Sequence, residues 1–104
     1  MYSLTDAAML QLGQVGSVFL NTDDEDFEPS GVVVVAITML TDVTFDILIP
    51  DDTTKFFGMS GTGFGSDGDT VGTGDTFPKG VTIYGRWTKV NISASEACIC
   101  YVGP

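Results

Sequence analysis

Histidine is absent from this 104-residue chain, and only two cysteines and four bases accompany its fourteen acids. Without imidazole there is no Ser-His-Asp triad, no Cys-His pair and no imidazole ligand for zinc. Four Lys and Arg side chains cannot neutralise a phosphate backbone over any area, so a nucleic-acid partner is not expected. The longest aliphatic run, Val32 to Ile37, falls far short of the roughly 20 residues a membrane helix needs, and no membrane association is expected. A basic segment leading into an apolar one is also missing at the N-terminus. The expectation is a product that stays in the cytosol where it is made, or leaves by a route needing no signal. Cys98 and Cys100 are alternate residues that share one face of a strand. They are poorly placed for a mutual disulfide and too few for a metal site, so they read as buried free thiols of a reducing compartment.

What charge there is lies unevenly. The formal charge is −10, and the first 52 residues hold ten acids and no base, whereas the remainder is neutral. That excess keeps a small protein dispersed. It also suits a basic partner surface, and Lys79, Arg86 and Lys89 lie close enough in sequence to form a basic cluster on a neighbouring subunit.

Strand signals dominate the chain. Thr5 followed by Asp6 to Leu12 allows two helical turns behind a Thr cap, or an extended arm. Val15 to Leu20 reads as a short strand, and the acidic stretch Asn21 to Ser30 as a solvated loop. Val32 to Leu40 is almost continuously apolar, as expected of a strand covered on both faces. Thr41 to Pro50 then alternates, with Val43, Phe45, Ile47 and Ile49 on one side and Asp42, Thr44 and Asp46 on the other. As one strand this region would span about 60 Å, so a hairpin turn is expected around Leu40–Asp42. Lys55 to Gly80 holds eight of the thirteen glycines, interrupted by Phe56, Phe57, Met59, Phe64 and Phe77. A purely flexible linker has no use for four phenylalanines. The segment therefore reads as an extended arm whose aromatic residues dock onto the chain's own sheet or onto an adjacent molecule. From Val81 onward alternation returns, but Trp87 falls out of phase with Val90 and Ile92, which requires a bulge or bend near Gly85–Thr88. Ser93 to Glu96 reads as a hairpin loop, and Ala97 to Val102 as a central or interface strand. The sum is all-β: a small antiparallel β-barrel or sandwich spanning 31–104, with an N-terminal arm and acidic loop over 1–30 and a Gly-rich extended loop over 53–80.

Motifs with chemistry are few. Gly63 to Gly68 matches G-x-G-x-x-G, but the following Asp69 to Gly74 is no helix, so the match lacks the helix N-terminus that holds a pyrophosphate. The acids Asp23 to Asp26, and Asp67 with Asp69 and Asp75, lack EF-hand spacing and read as solvated charge rather than a calcium site. No aromatic-flanked glutamate suggests a glycosidase pair. Asn91-Ile92-Ser93 is a formal sequon inside an expected strand. Tyr84 and Trp87 offer a sugar platform, although in so small a core a tryptophan more often packs. No enzyme activity, cofactor or metal is expected.

Val33 to Ile37, Thr41 to Phe45, Phe77 to Thr88 and Ile99 to Tyr101 together resemble small virion structural proteins of tailed bacteriophages, of the kind carried by marine and cyanobacterial phages. The likeness covers about residues 32–50 and 77–102, with Gly80 to Trp87 its most specific piece. It implies a capsid decoration, or cement, protein: a homotrimer on the outer head surface, assembled in the host cytoplasm and bridging major capsid protein subunits. Under that resemblance the arms would lay backbone and aromatic anchors on neighbouring subunits. Phe56, Phe57, Phe64 and Phe77 are the expected anchors, with Lys79, Arg86 and Lys89 pairing across subunits. The expectation from a different class is a tail-associated or host-surface module binding glycans through Tyr84 and Trp87.

Overall fold

A computed structural model describes residues 15–21 and 26–104. The helix or arm expected over 5–12 and most of the Asp23–Asp26 group lie outside them. The described chain is all-β, one antiparallel sheet of six strands: β1 (Gly16–Leu20), β2 (Val33–Met39), β3 (Val43–Pro50), β4 (Thr76–Phe77), β5 (Thr82–Ile92) and β6 (Cys98–Gly103). Their spatial order is β1-β6-β2-β5-β3-β4. The sheet does not close into a barrel; it folds over on itself in a sandwich-like arrangement.

The fold-over follows from chain length. Met39 donates its N–H to Val81 O at 2.9 Å, and Ser93 donates to Thr44 O at 3.1 Å. Met39 to Thr44 stretches to about 18 Å at most, whereas Val81 to Ser93 fully extended would span about 40 Å. Strand β5 therefore bends, and it does so where the phase of its side chains breaks. Between the β2–β5 partners Val34↔Trp87 and Ala36↔Tyr84, Gly85 and Arg86 oppose the single residue Val35. Between the β3–β5 partners Ile49↔Lys89 and Pro50↔Trp87, Thr88 is extra. The first half of β5 pairs with β2 and the second with β3, so one bulged strand belongs to both leaves.

This topology corrects two expectations. Leu40–Asp42 does turn the chain, but it makes no hairpin, because β5 lies between β2 and β3. Nor is Ser93–Glu96 a hairpin loop, because β2 lies between β5 and β6. A third correction concerns β3. Asp46 is an extra residue between the pairs Phe45↔Ile92 and Ile47↔Asn91, so the alternation reverses phase there. Val43, Phe45 and Leu48 enter the core, while Ile47 and Ile49 are half-buried.

Trp87, Phe45, Ile37, Met39, Leu48 and Ile92 are the largest of the fully buried side chains that fill the space between the leaves. Trp87 sits at the bend, edge-on to Phe57 at 5.4 Å, and its indole Nε1 donates to Phe57 O at 2.9 Å. That bond satisfies the one polar atom of a buried indole. Cys98 and Cys100 are free thiols facing the same interior. Hydrogen bonding to Cys98 and burial push the Cys100 thiol far up, so it stays protonated.

Candidate interaction surface

The Gly-rich segment is folded onto the chain's own sheet. Met59 donates to Leu48 O at 2.8 Å and Val71 to Gly58 O at 2.9 Å, while Phe57, Met59, Val71 and Phe77 pack against the core. Glycine is required where the segment crosses the end of β3: a Cβ on Gly58 would lie 2.6 Å from Pro50 Cδ and 2.7 Å from Leu48 O. Of the four expected anchors, Phe57 lies against Trp87, Phe77 lies edge-on to Phe45 at 5.3 Å, and Phe56 is half-buried. Phe64 alone stands out, 87% exposed on a single 3-10 turn over Phe64–Ser66. Gly63 and Gly65 flank it at φ 84° and 80°, a left-handed backbone that strongly favours glycine. The G-x-G-x-x-G match is thus a knuckle that displays a phenyl ring, with no helix behind it to receive a phosphate.

The three bases of the expected cluster each lie beside a different carboxylate of their own chain. Arg86 Nε is 3.2 Å from Asp51 Oδ2, and its Nη1 donates to the Pro104 main-chain oxygen at 2.9 Å. Lys89 Nζ is 3.2 Å from Asp26 Oδ2. The Lys79 backbone N–H donates to Asp42 Oδ1 at 2.9 Å while the residue itself is exposed. Exposed pairs of this kind contribute little, but Arg86 and Lys89 are occupied within the chain. Hydrogen bonding from Asn91, then from Lys89, holds the Asp26 carboxyl below its ordinary value of 3.8. Asp52, whose Oδ1 accepts from the Thr54 N–H and hydroxyl, is lowered likewise. Among the described residues no three of Cys, Asp and Glu gather as a metal site; Asp75 instead accepts the Gly72 N–H at 2.7 Å, closing a turn.

A second surface lies on the outer side of β1-β6-β2-β5. Strand alternation places Cys98, Cys100 and Val102 inward, so Ile99 and Tyr101 face out. Register then assembles two rows across four strands. One row is Phe19, Ile99, Thr38 and Thr82; the other is Ser17, Tyr101, Ala36 and Tyr84. None of these eight side chains is charged. Phe19 and Tyr84 are 57% and 59% exposed. Ala36, between the two tyrosines, is small and buried, which leaves a half-open depression of about 190 Å³ lined by Ala36, Thr38, Thr82, Tyr84 and Tyr101. Thr38 and Thr82 share a hydroxyl–hydroxyl bond of 2.8 Å at its border. Of the sugar platform only Tyr84 is available, because Trp87 is sealed in the core. Phe19 and Tyr101 were not expected here from sequence, although the two-sided apolarity of Ala97–Val102 carried the signal. Comparison with protein-family models, curated proteins and solved structures finds no match to the chain.

Proposed function

We propose that the chain is a structural assembly protein: a capsid decoration protein that stabilises a phage head shell by bridging major capsid subunits on its outer surface. The observation that carries this reading is Phe64. A phenyl ring held 87% exposed on a glycine-framed knuckle, in a segment whose Phe57 and Phe77 pack against the chain's own core, suits a partner's pocket. Buried aromatic anchors supply most of the energy of such contacts. The acidic first half then complements a basic shell surface and sets the approach rate more than the affinity.

A second reading, a glycan-binding module, is favoured by the tyrosine-lined depression on the outer sheet face. It rests on Tyr84 and Tyr101, with Trp87 removed from it. Particle reconstruction and binding to purified empty heads test the first reading, with Phe64→Ser expected to weaken shell binding at least tenfold. Location on tail fibres, or oligosaccharide binding by the isolated chain that Tyr84→Ala abolishes, would reject it in favour of the second.

A further inference from the structure

We infer that the outer face of β1-β6-β2-β5 is a self-complementary surface on which two copies of this chain pair face to face, the Phe19 ring of each entering the Ala36 depression of the other. The inference stands apart from any capsid role. Three observations converge on it, and the first is charge. In a chain of −10, eight neighbouring side chains in two cross-strand rows carry no charge. Two copies meeting on their acidic surfaces would oppose like charges, whereas an uncharged patch meets itself without that cost.

The second is shape. Phe19 is a knob, 57% exposed. The depression over Ala36 measures about 190 Å³ and is walled by Tyr84 and Tyr101. An apolar cavity of about 150 Å³ accepts a benzene ring, so one phenyl group fits. The third is placement. Phe19 lies two strands and one row from Ala36, roughly 12 Å away at ordinary strand spacings. A two-fold axis lying in the interface plane midway between them exchanges knob and hole, so a single operation seats both rings. A face about 19 Å by 17 Å buries only about 650 Å² in total when paired, below the roughly 1,000 Å² of a stable specific interface. The pair is therefore a weak dimer, and it differs from the three-fold assembly that the phage resemblance implies.

Sedimentation equilibrium of the full chain, from micromolar to millimolar, tests this. The expected result is a monomer–dimer equilibrium that tightens several-fold as salt rises from about 0.1 to about 1 M, because screening removes repulsion while the apolar contact persists. Phe19→Asp and Thr82→Glu, each checked by circular dichroism for an unchanged fold, are expected to weaken pairing at least tenfold. Gly74→Ala, outside the face and with nothing within 4 Å of the added carbon, leaves it unchanged. In a sample mixing labelled and unlabelled chains, Phe19 ring protons show contacts to the Ala36 methyl of the other copy, a readout that needs no variant. A chain monomeric at millimolar concentration, a trimer, or a dimer indifferent to Phe19→Asp overturns the inference.

Discussion

Trp87 is the residue on which both leaves depend. It pairs with Val34 of β2 and with Pro50 of β3, packs edge-on to Phe57, and binds the Phe57 carbonyl through its indole N–H. The loop before β4 is thus tied to the bend of β5 by one polar bond inside an apolar site. Replacing Trp87 by Phe removes both the bond and the second ring, leaving a small cavity and a carbonyl without its donor. The expected loss is about 2–4 kcal/mol, read as a lower urea midpoint at constant slope. A further residue-scale consequence concerns acid. Asp26 is held below 3.8 mainly by Asn91 and then by Lys89. A carboxyl whose value is lower folded than unfolded lends stability that is complete above the unfolded value and is lost as pH falls through the folded one. The thermal midpoint is therefore expected to drop on acidification below about pH 4. In Asp26→Asn that part of the decline is absent, so a plot of midpoint against pH for the two chains should converge at low pH. Parallel curves would show that Asp26 does not titrate with folding.

At the scale of elements, the bulges decide what could be read in advance. The bend in β5 was legible because Trp87 breaks the parity of Val90 and Ile92 on either possible face, and Gly85 stands at the break. A Cβ on Gly85 would lie 2.7 Å from Trp87 Cζ2 and 3.0 Å from Cη2. Gly85→Ala is accordingly expected to cost about 1–3 kcal/mol by overpacking. Gly74→Ala, with nothing within 4 Å of the added carbon, should stay within about 0.5 kcal/mol of the parent. Thermal melts of the two variants provide the comparison. The Asp46 bulge was not legible, because Ile47, Leu48 and Ile49 are consecutive apolar residues, and Ile47 and Leu48 are equally acceptable inside. Only pairing with β5 selects Leu48. The hairpins failed for a related reason. Strand length at 40–42 and the local turn signal at 93–96 call for a reversal of direction, but do not specify which strand later inserts beside it. Phe57 and Phe77 of the Gly-rich segment were legible as docking residues. That Phe57 turns inward while Phe64 stays exposed goes with the close approach of Gly58 to Pro50, a packing contact the glycine and phenylalanine pattern does not show.

At the scale of the whole molecule, a charge of −10 is spread over a body whose Cα radius of gyration is 13.5 Å. The bases Arg86 and Lys89 each offset one acid locally, and the remaining excess lies within a body little larger than the screening length of about 10 Å at 0.1 M salt. Unfolding moves those charges apart, so mutual repulsion works against the folded chain in the way it works against any highly charged compact state. Added salt shortens the reach of that repulsion to about 3 Å at 1 M, while the apolar core between the leaves is not weakened. The thermal midpoint is therefore expected to rise with sodium chloride, measured by calorimetry on dilute protein so that pairing of chains does not add to it. Phe19→Asp, monomeric by design and one charge more acidic, should show at least as steep a rise. A midpoint that falls with salt would mean that the two exposed ion pairs outweigh the acidic excess, and the uncharged sheet face would then lose the charge argument for meeting its own copy.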